Sequence, residues 1–206
     1  MKVLLINGSP RAHGCTYTAL SEVAGRLNAH GIETQAFHIG NQPIRSCIAC
    51  GRCAGKGRCV FGEDGVNECI DLIHASDGVV IGAPVHYASA AGACSAFLDR
   101  VFYAKDSFAM KPGAAVVSCR RGGASATFDQ LNKYFTISSM PVVSSQYWNS
   151  VHGNTPDQVR QDLEGLQTMR TLADNMAWLL QCIEAGKEAG IPYPERERRI
   201  STSFIR

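Results

Sequence analysis

Short apolar runs, each bounded by turn residues, alternate along this chain with stretches of helical period. Val3–Ile6 is continuously apolar and closes at Asn7-Gly8, as a strand covered on both faces would. Ile32–Ile39 reads as a weaker strand, Asp77–Ala83 and Ala114–Ser118 as two more buried strands, and Pro141–Ser144 as a shorter fifth. Leu20, Val23, Ala24 and Leu27 recur at helical spacing, and Gly31 stands where that helix would stop. Gly65–His74, Ser89–Tyr103 and Ala124–Thr136 also read as helices. Thr155-Pro-Asp-Gln158 supplies an N-cap, a first-turn proline and a capping-box partner. Leu163, Leu166, Met169, Leu172, Met176, Leu179 and Ile183 then form one apolar stripe. Strand–helix alternation predicts an open α/β parallel sheet with helices on both faces, in which ligands bind at the carboxyl ends of the strands. One domain spanning residues 1–206 is expected, with a cysteine-rich loop at 45–63 and a C-terminal helix from about 155 to 188.

Of the 206 residues, 45% are hydrophobic and 18% charged, enough for a substantial core. A net charge of +2 with both signs mixed gives no footprint for nucleic acid. The longest apolar runs fall far short of the ~20 residues of a spanning helix. The opening run breaks at Asn7-Gly-Ser-Pro, too short for a secretory core, so a cytoplasmic protein is expected. In that compartment nine cysteines point to metal, redox chemistry or buried fillers before disulfides.

Two segments carry chemistry. Asn7-Gly-Ser-Pro-Arg-Ala-His-Gly-Cys-Thr-Tyr-Thr18 joins the first strand to its helix, where free amides and the helix dipole suit an anion. Neither a Gly-Lys-Ser/Thr ending nor Gly-x-Gly-x-x-Gly is present, which leaves a phosphomonoester or an ordinary polar turn. The second is Cys47-Ile-Ala-Cys50-Gly-Arg-Cys53-Ala-Gly-Lys-Gly-Arg-Cys59, with spacing C-x2-C-x2-C-x5-C. Four thiolates within thirteen residues suit a [4Fe–4S] cluster through Cys47, Cys50, Cys53 and Cys59; a metal-free lid is the other reading. Structural zinc fits less well, because its sites pair two separated hooks. Cys69, Cys94, Cys119 and Cys182 read as small buried hydrophobes.

Asn7-Gly-Ser-Pro-Arg11, Gly82-Ala-Pro-Val-His-Tyr87 with Phe97-Leu-Asp-Arg100, and Ser118-Cys-Arg-Arg-Gly-Gly123 each follow or adjoin a strand end. Together they resemble the flavodoxin-like NAD(P)H-dependent FMN reductase family, in the cysteine-bearing branch that includes iron–sulfur flavoproteins, over roughly residues 1 to 150. The C-x5-C arm is also similar to that branch. The resemblance implies strand order 2-1-3-4-5, non-covalent FMN and a homodimer or tetramer. It implies that Ser9, Arg11, Thr16 and Thr18 bind the FMN phosphate beside Cys15. Pro84, Val85, His86, Tyr87 and Ser89 would line the ribityl chain and ring edge, with Arg121, Gly122 and Gly123 opposite. Three positions depart from the pattern: Cys15 replaces a frequent Asn, His86 a frequent aromatic, and the Lys expected near Ser95 is absent.

The activity implied is electron transfer from NAD(P)H through FMN to a small acceptor, such as a quinone, nitro compound, flavin or ferric complex. The alternatives are an FMN/[4Fe–4S] electron carrier between protein partners and a flavin-free thiol module. Carrier flavodoxins are typically acidic, so the pI near 8.1 leans toward the enzyme. No Ser-His-Asp set or carboxylate pair stands out, and the chemistry is expected to be the cofactor's own. His86 reads as a proton mover beside the flavin or as a structural imidazole. Asp99-Arg100 reads as a helix-end ion pair or dimer contact. Tyr147-Trp148-Asn149 with His152 reads as a pocket cover or an anchor for the last helix, and the basic end Arg196–Arg206 as a solvated tail.

Overall fold

The computed structural model describes residues 1–198 and 200–202. In chain order the elements are β1 (Lys2–Asn7), α1 (Cys15–Ala29), β2 (Glu33–His38), α2 (Val66–His74), β3 (Gly78–His86) and β4 (Ser89–Ala90). They continue with α3 (Gly92–Ala104), β5 (Gly113–Cys119), α4 (Ala124–Ile137), β6 (Ser150–His152), α5 (Pro156–Gln161) and α6 (Leu163–Glu188). The parallel sheet runs β2-β1-β3-β5-β6, with β4 folded back antiparallel on β3. Leaving out that two-residue hairpin arm, the order is 2-1-3-4-5, as expected.

Alternation along the central strands divides the core. Leu4, Ile6, Val79 and Ile81 point to one face and pack with Phe97, Leu98 and Phe135. Val3, Leu5, Val80 and Val116 point to the other and meet Leu20, Val23, Met169 and Leu172. Both faces of β1, β3 and β5 are thus covered, which is why these strands read as unbroken apolar runs.

Six expectations are corrected. The fifth strand is Ser150–His152, not Pro141–Ser144. Pro141 lacks an N–H, Val142 is exposed, and that segment makes only an isolated bridge to Gly113. Helix α3 starts at Gly92 rather than Ser89, because Ser89 and Ala90 are taken up by β4. The last helix is two: Asp162 breaks it and caps α6, accepting from the Gly165 amide at 2.9 Å. Leu163 lies off the buried stripe, and Leu180 joins it. Thr155 caps α5 as expected, while Gln158 reaches back to the amide of Asn154 at 2.7 Å rather than that of Thr155. Cys69, Cys94 and Cys119 are buried, but Cys182 is exposed on α6. The basic tail lies partly outside the described residues.

Candidate functional site

All the parallel strands end on one edge of the sheet, and there they open a cleft of about 320 Å³. Its floor is the β1–α1 loop, held by its own side chains. Asn7 Oδ1 accepts from the Ser9 amide at 3.1 Å, and Asn7 Nδ2 donates to the Ala12 carbonyl at 3.1 Å. Ser9 Oγ accepts from the Arg11 amide at 3.1 Å, and His38 Nε2 lies 2.7 Å from the Ser9 carbonyl. Gly14 starts α1 without a side-chain cap, and no acidic residue occupies the first turn. The leading amides and the positive end of the dipole therefore face the cleft uncompensated, which is the electrostatic requirement for an anion.

From the sequence-based set, Ser9, Arg11, Cys15, Thr16, Pro84, Val85 and His86 line this cleft. Thr16 and Ser118 are buried with their hydroxyls 2.8 Å apart, tying α1 to the end of β5. Thr18 turns its hydroxyl to the Gly14 carbonyl at 3.2 Å and does not line the cleft. Tyr87, Ser89, Arg121, Gly122 and Gly123 also lie outside the lining. Pro10, Ser118, Cys119 and Arg120, which stand in the quoted motifs without an assigned contact, also line it, and so do two residues that sequence reasoning missed, Gly153 and Asn154. The last two follow β6, the strand whose position was misread. Burial pushes both the Cys15 and Cys119 thiols up from their ordinary value, so neither sulfur presents negative charge to an anion at neutral pH.

Beside the cleft, Tyr87 and Ala88 form the tip of the β3–β4 hairpin with φ of 51° and 58°. Two consecutive left-handed residues match the twist of a two-residue hairpin, but for Tyr and Ala they carry backbone strain. The surroundings hold it. Gln130 Oε1 accepts from Ser89 Oγ at 2.8 Å and from the Ala90 amide at 2.9 Å. Gly123 (φ 90°) packs so closely that a Cβ there would lie 2.6 Å from Ala88 Cα. The result is a Tyr87 ring wholly in solvent at the rim.

Cys47, Cys50, Cys53 and Cys59 line one small cavity, about 20 Å³, between their loop and α3. Positive φ at Ala49, Gly51, Gly55 and Gly57 lets the chain wrap. Asn67 clamps the far end, accepting from the Cys59 amide at 2.8 Å and donating to its carbonyl at 2.9 Å. A backbone hydrogen bond from Arg52 lowers the exposed Cys50 thiol below its ordinary range. Among the described residues, no three His, Cys, Asp or Glu side chains are grouped tightly enough for a single metal ion. The donor set nonetheless suits a cluster, which needs thiolates spread around a larger inorganic core.

Arg100 is neither a helix-end ion pair nor an exposed dimer contact. It is 2% exposed and turned inward to the cysteine loop, because its partners lie there; Asp99 instead accepts from the Tyr134 hydroxyl at 2.5 Å. Tyr147 and Trp148 precede β6 and line a separate recess against the start of α6. Asn149 is buried and donates to the Ala115 carbonyl at 3.0 Å.

The family profile described as NADPH-dependent FMN reductase matches residues 1–155. An iron–sulfur flavoprotein of Methanocaldococcus jannaschii is 30% identical over 193 residues, covering 89% of this chain and all of the relative. A structure of RosB with bound 8-demethyl-8-formylriboflavin-5′-phosphate superposes with a TM-score of 0.69 at 15% identity, covering 100% of this chain and 94% of that one. A flavodoxin from the domain Archaea gives a TM-score of 0.60 at 12% identity, with 88% and 99% covered. The last two likenesses are of fold.

Proposed function

Given that the chain belongs to the NADPH-dependent FMN reductase family and is an FMN-dependent oxidoreductase, we propose that NAD(P)H supplies its electrons. A quinone, nitro compound, free flavin or ferric complex takes them up. FMN, when bound, supplies the chemistry, accepting hydride and releasing electrons. The uncapped start of α1, opening into a cleft built by the ends of β1, β3 and β5, is the observation that carries this reading.

The residues fit that cofactor. Ser9, Arg11 and Thr16, with the leading amides of α1 around Cys15, would hold the phosphate. Thr18 supports the first turn through Gly14 instead. Pro84, Val85 and His86 form the wall along which a ribityl chain and ring edge would lie, with Ser118 and Arg120 across the cleft. Tyr87 at the rim would lie over the ring or meet a second copy, and Gly123 acts by supporting the hairpin that presents it. No side chain is asked to move a proton. A cytoplasmic homodimer or tetramer completes the reading.

The thiol cavity favours a second element, a [4Fe–4S] cluster held by Cys47, Cys50, Cys53 and Cys59, and with it the alternative of electron exchange with protein partners. Anaerobic purification followed by a visible spectrum and iron and sulfide assays tests both. Rapid bleaching of the flavin band by NADPH supports the reductase. Bleaching by reduced ferredoxin alone transfers the case to the carrier. A preparation that is colourless and cannot be reconstituted with FMN overturns both.

A further inference from the structure

Arg100 is the one charged residue among the described residues that is fully buried. It sits in the third turn of α3, where a buried apolar side chain would carry no desolvation cost. Every hydrogen bond it makes goes to the cysteine-bearing segment. Its guanidinium donates to the carbonyl of Arg45 at 3.3 Å, to the carbonyl of Phe61 and to the carboxylate of Asp64. Its Nε–H donates to Cys59 Sγ at 3.4 Å. It also lines the cavity that the four thiols share. The second Asp64 oxygen is buried with no partner, so this carboxylate is committed to Arg100 alone.

We propose that Arg100 is a positioning residue that holds Cys59 in the ligand set and sets the electron affinity of the cluster, with Asp64 as its counterweight. This rests on the cluster reading above. Hydrogen bonds to ligand sulfur and the net charge nearby are levers on iron–sulfur potentials. The reduced cluster carries one more negative charge than the oxidised one. A fixed cation with an N–H on a ligating sulfur therefore stabilises the reduced form more, and a carboxylate behind it subtracts from that effect. Removing the cation lowers the potential. Neutralising the carboxylate raises it. A residue that merely fastens the loop gives no such opposition of sign.

The test compares wild type, Arg100→Met, Arg100→Lys and Asp64→Asn, purified anaerobically. Iron and sulfide per chain are counted, and the cluster is titrated reductively under electron paramagnetic resonance. Arg100→Met is expected to shift the one-electron equilibrium against reduction by tenfold or more, 59 mV. Arg100→Lys keeps the charge and falls between Arg100→Met and wild type, while Asp64→Asn shifts the opposite way. Equal potentials in wild type and Asp64→Asn, or shifts of one sign in Arg100→Met and Asp64→Asn, overturn the proposal. If Arg100→Met retains no iron, the sign of the Asp64→Asn shift decides. A wild type that binds no iron removes the cluster reading and this proposal with it; wild-type iron with unmoved potentials removes the proposal alone.

Discussion

Replacing Arg11 by alanine tests the phosphate assignment without touching the fold, because the side chain is exposed at the cleft rim and the Arg11 amide, which binds Ser9 Oγ, is retained. A charge-assisted hydrogen bond from guanidinium to phosphate contributes about 1.5–3 kcal/mol. Exposure lets water and salt trim that value. Ser9, Thr16 and the α1 amides remain as donors, so the expected loss is about 1–2 kcal/mol, or roughly 5- to 30-fold in Kd for FMN. The assay is quenching of flavin fluorescence on titration with apoprotein, run in parallel with riboflavin, which has the same ring and ribityl chain but no phosphate. Riboflavin affinity should be the same for wild type and Arg11→Ala, and the FMN difference should narrow in ~1 M salt, where the screening length is about 3 Å. Unchanged FMN affinity, or equal weakening of both ligands, would refute a phosphate at this loop.

Gly123→Ala places a Cβ 2.6 Å from Ala88 Cα at a φ of 90°, so it should cost about 1–3 kcal/mol and lower Tm by roughly 2–12 °C in a calorimetric scan. Cys50→Ser should reduce iron and acid-labile sulfide per chain while flavin content, measured from the same preparation, stays at the wild-type level. Burial pushes the Cys94 thiol up to about 12 from 9.0 and raises Cys69 as well. Above pH 9 the unfolded chain loses these protons and the folded chain keeps them. Stability is therefore whole below pH 9 and falls as pH climbs toward 12, by about 1 kcal/mol per pH unit and thiol. Urea midpoints at pH 8 and pH 10.5 measure the fall, and a Cys69→Ala, Cys94→Ala double variant should flatten it.

What could be read from the sequence followed from how each element earns its stability. The central strands β1, β3 and β5 are buried on both faces, and that condition writes itself as a run of Val, Ile, Leu and Ala. Strand β6 has only three residues and one of them, Val151, is buried; no periodicity can announce it. Pro141–Ser144 carried the better pattern, yet what decides pairing is which backbone groups lie opposite β5. The β4 arm was misread for the same reason, since Ser89-Ala90-Ala91 suits a helix start and only the hairpin back onto β3 recruits it. The cleft was legible because strand ends in a parallel sheet share an edge whatever their separation in sequence. The cysteine donors were legible because they are neighbours in sequence.

Arg100 was visible as a residue but not in its direction, since its partners lie 36 to 55 positions upstream in a loop of no regular period. Its place on α3 nonetheless joins the cleft to the cysteine loop. Cys94, on the first turns of α3, packs so tightly against the β1–α1 loop that a Cβ on Gly8 would overlap its sulfur. Arg100 stands six residues further along, about 9 Å of helical rise, and holds the thiol loop. One rigid rod thus touches the β1–α1 loop near one end and the cysteines near the other, and it is anchored in the core by buried Phe97 and Leu98. Two loops far apart in sequence are therefore referenced to the same helix. Under the proposal that FMN fills the cleft and a cluster the thiol loop, that arrangement would suit electron exchange, which asks for a fixed separation between donor and acceptor rather than for a side chain that moves.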